Sequence, residues 1–206
     1  ADLSNTSFKN TNINNARFAF ANLDNSNLLD RTDLSNINLA GIDLSMKSLK
    51  GKDLSGTNLS YVDLSEHDLT GTNLIGATLS HAKFSSTSLK GKDLSGANLS
   101  YVDLSGIDLR SVILTNADFR NANLSESKLL DSLLVNNNFN YATLKNINFA
   151  GKDLSGSSFN KVKLDGSDIQ NTNLKNSSFV QVDFTKIKNK SLAGTNLSDA
   201  SFAHSN

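Results

Sequence analysis

The amino-acid sequence predicts an all-β solenoid in which the chain turns a corner every five residues. Leu or Phe occupies every fifth position from Leu34 to Phe184, with only Ile169 varying the pattern. Five helical steps of about 100° would place successive apolar residues about 140° apart, which excludes an amphipathic helix. A straight strand would alternate these residues between its two faces, so each five-residue unit needs a bend instead.

Each unit also carries a second inward residue, two positions before the central Leu or Phe. This position is often small or β-branched, as at Thr57, Val62 and Ala77, and the period-two geometry of extended chain points it the same way as the centre. Two side chains of every unit are therefore expected to fill the interior, and the remaining three are expected to face solvent or form the corner.

Internal duplication narrows the length of one coil. The segment GKDLSG begins at Gly51, Gly91 and Gly151. The separations between these three copies fit coils of 20 or of ten residues and exclude coils of 15. The stretch 48–65 recurs as 88–105 with a single difference, Thr57 against Ala97.

The units ADLSN, GTNLS, GANLS, NADFR and NANLS resemble the A(D/N)LXX consensus of the pentapeptide-repeat family. The resemblance covers essentially the whole chain. It implies a right-handed quadrilateral β-helix with four units to each 20-residue coil, hence about ten coils in one domain over 1–206. The rhythm slips near 28–29 and again near 185–191, where we expect a bulge and a projecting loop.

Registry at this coil length predicts which side chains lie above one another in the core. Leu54, Leu94 and Leu99 are expected to be central core residues, and a column of stacked rings is predicted from four Phe residues: Phe119, Phe139, Phe159 and Phe179. Offset stacking is favourable packing in its own right, so this column implies no cofactor.

Two sets of lysines are candidate contacts for a protein partner. Lys186, Lys188 and Lys190 lie in the second register slip, where a loop on a rigid scaffold could meet an acidic surface; a solvated bulge without function is the alternative. The alternation turns the GKDLSG lysines inward, at Lys52, Lys92 and Lys152. Their stems are expected to follow the wall while the amines reach water or corner carbonyls, and a row of basic pockets is the alternative.

Composition and motifs exclude several classes of function. The 20 basic residues balance the 20 acidic residues, which disfavours direct nucleic-acid binding. The Asp columns at Asp33, Asp53, Asp93 and Asp153 are interpreted as turn chemistry. No cysteine, metal-binding motif or membrane-spanning run is present, which predicts a soluble chain without metal or cofactor. The three histidines are scattered, and we predict that the chain is not an enzyme.

The predicted function is a rigid, non-enzymatic scaffold for protein–protein interaction. The resemblance implies two settings: a segment of a bacterial effector or other multidomain protein, such as a HECT-like ubiquitin ligase whose cysteine would lie elsewhere, or a gyrase-binding mimic of B-form DNA. In the first setting the chain would be secreted into a host cell. In the second it would lie in the bacterial cytoplasm. Open terminal coils would expose unpaired backbone, so we expect either a fragment of a longer protein or end-to-end self-association.

Overall fold

The repeating element is a 20-residue coil, and parallel bridges join residues of one coil to residues of the next. The computed structural model describes residues 1–86 and 88–206. Parallel bridges join residues 20 positions apart, as in Asp33–Asp53, Asn58–Thr78 and Asn123–Thr143. The coil length is therefore 20, and the ten-residue alternative is wrong. Across the described residues the bridges are isolated and form no continuous strand, because each unit bends again after one bridged residue.

Each unit combines a bond between coils with a bond across its own corner. The amide of Leu54 donates to the carbonyl of Asn73 in the next coil at 2.9 Å, and the amide of Thr57 donates back to the carbonyl of Leu54 at 3.1 Å. The corner between them needs a left-handed residue, here Gly56 with φ of 63°. Asn and Gly fill most of these corners, because they adopt this conformation at the lowest cost.

In the described part of the chain, three short 3₁₀ helices mark the two places where the five-residue rhythm slips. They span Leu28–Asp30, Phe184–Lys186 and Lys188–Lys190. Near the first helix, the bridge Arg17–Asn38 joins residues separated by one residue more than in a regular coil. Near the other two helices, the bridge Asn173–Asn196 joins residues separated by three more. The extra residues are thus taken up inside single coils.

The prediction of a projecting loop after Phe184 is wrong. The carbonyl of Lys186 accepts from the amide of Gly166 at 2.8 Å, and the amide of Lys188 donates to the carbonyl of Ser167 at 2.9 Å. Ile187 is buried between them with 5% exposure. The inserted residues therefore remain bonded to the preceding coil, with one apolar side chain in the core.

The interior consists of stacked central residues. Leu54, Leu94 and Leu99 are completely buried. The four predicted Phe rings stack in order along the column with centroid separations of 5.1, 5.0 and 4.8 Å, and Phe202 continues the column at 5.1 Å from Phe179. The rings lie nearly parallel, as the registry of the coils predicts.

Truncating one central side chain should cost much more stability than truncating an exposed one. Leu99→Ala is expected to lower the free energy of unfolding by roughly 2–5 kcal/mol, because coils fixed above and below cannot close the cavity. The matched control is Leu130→Ala at a 64% exposed position, where a change within about 0.5 kcal/mol is expected. Urea unfolding followed by circular dichroism measures both, and equal losses in the two variants would contradict this account of the core.

Candidate interaction surfaces

The Asp and Asn residues that precede each centre bind the corner that follows it. The carboxylate of Asp53 accepts from the amide of Ser55 at 3.0 Å and from its hydroxyl at 2.7 Å. The Ser amides after Asp33, Asp93 and Asp153 make the same bond. These columns of carboxylates therefore stabilise corners, which confirms their interpretation as turn chemistry.

Seven ion pairs join 14 of the 40 charged side chains in the described residues. Lys83 lies 3.5 Å from Asp63, Arg120 lies 2.7 Å from Asp118 and Lys50 lies 3.4 Å from Asp68. A net charge of zero is thus accompanied by local pairing. The field around the solenoid is patchy, with no single dominant sign over the described charges.

The inward lysines of the GKDLSG segments differ in what their amines bind. Lys52 is buried, with its ammonium donating to the carbonyl of Arg31 at 2.7 Å, and the ammonium of Lys92 donates to the carbonyl of Leu69. Lys152 is half-buried and makes no hydrogen bond through its amine within the described residues. Burial lowers the pKa of all three lysines. Lys52 and Lys92 therefore bind corner carbonyls, as expected, and offer little to a partner.

The lysines of the second register slip are exposed but partly neutralised. Lys186 lies 3.3 Å from the carboxylate of Asp183, and Lys188 lies 3.1 Å from that of Asp168. Lys190 ends the second of the two helices with φ of 48°. A partner that bound here would compete with two existing ion pairs, each of modest strength at an exposed site.

An exposed column of aromatic rings runs along one corner of the solenoid, and we call it the aromatic column: Phe20, Tyr61, His81 and Tyr101. The imidazole of His81 is stacked between the two Tyr rings at 4.7 and 4.9 Å. The ring of Phe20 lies 6.4 Å from that of Tyr61 and covers Gly41, where any side chain would collide with it. Phe20 is 66% exposed and Tyr61 is 59% exposed.

The backbone at these rings makes the column more unusual. Tyr61, His81 and Tyr101 occupy the left-handed corner position with φ of 64°, 58° and 61°. The same corner carries Gly41 one coil before and Asn121 one coil after. A side chain with a bulky ring in this conformation costs up to roughly 1–2 kcal/mol. Stacking between coils offsets part of that cost.

Sequence reasoning missed the aromatic column although a signal was present. Tyr61, His81 and Tyr101 recur once per coil, the same spacing that identified the Phe column. Tyr141 and Lys161 continue the corner further along, with the ammonium of Lys161 placed 5.3 Å from the centre of the Tyr141 ring. A search for columns at every position of the coil, including corners, would have found it.

Metal and membrane sites are not evident in the described part of the chain. No group of three or more His, Asp or Glu side chains there is arranged to hold a metal ion. The described residues also contain no helix long and apolar enough to cross a membrane.

A coil of four five-residue units with a central Leu or Phe defines a class of repeat protein, and a comparison with family sequences identifies it. The family described as "Pentapeptide repeats" matches in 8 copies, over 1–28, 53–91, 77–116, 93–131 and 138–176. The chain belongs to the pentapeptide-repeat family. No curated protein matches the chain.

Two solved structures of QnrB1 show the same fold at low sequence identity. A trypsin-treated variant of QnrB1, described as a plasmid-mediated fluoroquinolone resistance protein, is 15% identical, with a TM-score of 0.60 over 77% of this chain and 83% of its own. Full-length QnrB1 is 19% identical, with a TM-score of 0.51 over 77% and 90%. HetL, a pentapeptide-repeat protein involved in heterocyst differentiation regulation in the cyanobacterium Nostoc sp. strain PCC 7120, is 27% identical over 99% and 84%, with a TM-score of 0.44.

Stability should fall as acid protonates the carboxylates of the corners. The hydroxyl and amide of Thr70, with Lys50 beside them, lower the pKa of Asp68 from 3.8 to about 2, and the pKa values of Asp33, Asp63 and Asp183 are lowered in the same way. A group whose pKa is depressed by folding contributes stability above its unfolded pKa, and that contribution disappears as pH falls through the folded pKa. The urea midpoint is therefore expected to be level above about pH 5 and to decline between about pH 4 and pH 2.

The matched control for this pH dependence is Asp68→Asn. An amide oxygen can still accept from the corner, as Asn58 does from the amide of Ser60 at 3.0 Å, but it does not titrate. The urea midpoint of the variant should fall less in acid than that of the wild type, and the difference should equal the contribution of one carboxylate. A wild-type midpoint that stayed constant or rose over the same acidic range would refute the argument.

Proposed function

We propose that the chain is a rigid, non-enzymatic scaffold that binds a protein partner through the aromatic column. The observation that carries this proposal is the exposure of stacked rings at left-handed corners, where Asn or Gly would fold with less strain. Tyr is among the residues that contribute most to protein interfaces, because it buries a large area at low cost in conformational entropy. The column would supply a row of such anchors with fixed spacing.

The finer architecture belongs to the same proposal. We propose a right-handed quadrilateral β-helix of about ten coils, forming one domain over 1–206 in a bacterial effector or other multidomain protein. Coils packed about 4.8 Å apart set the spacing of any surface feature that repeats along the axis. A partner would thus read a periodic pattern of side chains on a surface that changes little on binding.

Replacing both Tyr residues by Asn should weaken partner binding strongly without unfolding the protein. One coil after Tyr101, the same corner is occupied by Asn121, with φ of 59°. Tyr61→Asn together with Tyr101→Asn therefore relieves backbone strain while it removes the anchors. We expect the wild type to capture a partner from host-cell and bacterial lysates, and the double variant to lose at least roughly tenfold in affinity for the identified partner. Calorimetry with the purified partner measures this loss.

Tyr141→Asn is the control for that experiment. Tyr141 occupies the same corner of the coil with φ of 64°, but it lies two coils beyond Tyr101 and outside the aromatic column. Full binding by this variant together with loss in the double variant would support the aromatic column as the contact. Full binding by the double variant would contradict the proposal.

A gyrase-binding mimic of DNA is the second candidate. The family resemblance supports it, and the fold is shared with QnrB1, which is described as a fluoroquinolone resistance protein. The balance of 20 acidic and 20 basic residues counts against it, because a mimic of DNA needs a continuous negative surface. A supercoiling assay on the same preparation separates the candidates: inhibition or protection of gyrase would favour the mimic, and no effect with capture of another protein would favour the scaffold.

The lysines of the second register slip are a further proposed contact. Replacing Lys186, Lys188 and Lys190 together by Ser should weaken binding of an acidic partner and reduce the salt dependence of its affinity, since exposed charges act mainly through long-range attraction. Binding is measured at low and high salt for the wild type and the triple variant. Unchanged partner binding after the triple replacement would exclude this segment as a contact.

A further inference from the structure

The corner that carries the aromatic column continues through the later coils, with a gap between two of its rings. The residues that occupy it in turn, each at a positive φ, are Asn121, Tyr141, Lys161, Gln181 and His204. Asn121 is shorter than Tyr, so Tyr101 and Tyr141 stand two coils apart with no ring of this chain between them. His81 fills the equivalent position between Tyr61 and Tyr101, stacked at 4.7 and 4.9 Å. The gap above Asn121 therefore has the spacing that one further ring would fill.

Each ring that borders this gap has its other face covered. His81 stacks on one face of Tyr101. The ammonium of Lys161, from the coil beyond, lies 5.3 Å from the centre of the Tyr141 ring. Both tyrosines share the same left-handed corner geometry and are 54% exposed. The faces that remain open are therefore the two on either side of Asn121.

This corner is complementary in size to a second copy of itself placed side by side and antiparallel. A two-fold axis perpendicular to the solenoid sets each column against its own reverse. When Asn121 lies opposite Tyr141 of the second copy, each Tyr141 ring enters the gap of the other chain. In the same register Tyr101 lies opposite Lys161, and His81 lies opposite Gln181. Rings thus face shorter or flexible side chains along the corner.

The charged column beside the corner favours the same register. Its members two residues after the corner include Lys83, Asp103, Lys163 and Asp183, with the neutral Asn123 and Thr143 between them. With Asn121 opposite Tyr141, Asp103 faces Lys163 of the second copy and Lys83 faces Asp183. A shift by one coil in one direction sets Lys83 against Lys163, and a shift in the other sets Asp103 against Asp183. Opposite charges therefore meet in this register and like charges meet in both neighbouring ones.

The central charges of this column are available to a second copy. Asp103 and Lys163 are exposed and form no ion pair within the described residues. Asp103 accepts from the amide of Ser105 at 3.0 Å and from the side chain of Asn123 at 3.1 Å, both through Oδ1, which leaves Oδ2 for a lysine. The other charges near the corner form exposed pairs within the chain: Arg120–Asp118, Lys83–Asp63 and Asp183–Lys186.

We propose that two copies of the chain associate antiparallel through this corner, each inserting Tyr141 above Asn121 of the other. Four rings then form one stack between the two solenoids, in the order Tyr101, Tyr141 of the second copy, Tyr141, and Tyr101 of the second copy. Lys161 is exposed and moves aside from the Tyr141 ring to admit Tyr101 of the second copy. The contact follows a single corner, so it is a small, reversible interface.

This inference goes beyond the proposed partner contact and does not depend on it. The antiparallel pair covers the aromatic column, because His81 and Tyr101 then face the second copy. Self-association and a partner on the aromatic column would therefore compete. Tyr141 lies outside the aromatic column, so Tyr141→Asn should weaken self-association and leave partner binding intact.

Sedimentation velocity of the full chain from about 5 to 500 µM measures the association. We expect a concentration-dependent dimer, and Tyr141→Asn should weaken it at least roughly tenfold, because each dimer loses two stacked rings. Asn is tolerated at this corner, as Asn121 shows with φ of 59°. Tyr141→Phe keeps the ring and should leave the dissociation constant within about twofold of the wild type.

A charge exchange tests the register. Asp103→Lys sets like charges against each other and should weaken the dimer roughly fivefold or more. Adding Lys163→Asp to it should restore the association, because the exchanged charges meet across the interface. The two residues lie three coils apart in one chain, so this rescue cannot arise within a single copy. Asp131→Lys makes the same change of charge half a coil away, on the opposite side, and should have no effect. Thermal unfolding verifies that each variant is folded.

Three outcomes would overturn the proposal: a wild type that stays monomeric up to about 500 µM, a Tyr141→Asn variant that dimerises as the wild type does, or a charge exchange without rescue. A dimer that persisted in Tyr141→Asn would assign self-association to another surface. A monomeric wild type that captured a partner would reject this contact and leave the scaffold function intact. A wild type that dimerised as expected and captured no partner would count against the scaffold function alone.

Discussion

The left-handed residue found at most corners is the constraint on which the remaining structure depends. Most of the turns that recur every five residues place one residue at a positive φ, as Asn36 and Gly56 do at 56° and 63°, although the corners at Met46 and Glu66 turn without one. That turn directs every central side chain inward, and four turns return the chain to the same side of the solenoid, one coil further along. The core column, the bonds between coils and the polar corners all follow from this closure. The composition follows as well, because Asn and Gly supply the corners and Asp, Asn and Ser bind them.

The same constraint draws attention to corner residues whose side chains tolerate a positive φ poorly. Most corners use the residues that tolerate a positive φ best, so an aromatic side chain there requires another explanation. Stacking of His81 between Tyr61 and Tyr101 is one contribution, and it needs no partner. It does not explain why the rings extend into solvent, where Tyr61 and Phe20 leave most of their surface uncovered. Buried stacks such as the Phe column already supply packing between coils, so the exposed rings are the basis for the proposed contact with a partner.

Periodicity made the interior predictable from the sequence and left the surface chemistry undetermined. The spacing of Phe119 and Phe139 was sufficient to predict their stacking, because one coil length governs every column. The behaviour of Lys152 could not be predicted, because Lys92 and Lys152 lie in identical GKDLSG segments. The preceding coils differ near these lysines: the hydroxyl of Ser132 lies within bonding distance of the carbonyls of both Leu109 and Leu129, whereas that of Thr72 donates to the carbonyl of Leu49. The insertion after Phe184 was visible as a lost rhythm, but burial of Ile187 depended on space that only the folded coil defines.

The position of the aromatic column constrains how the proposed scaffold would work. Its rings stand at the same corner of successive coils, with the filled core behind them. A partner bound there would meet side chains at a fixed spacing along one corner of the solenoid. That arrangement requires a rigid interior, and the stacked core supplies it.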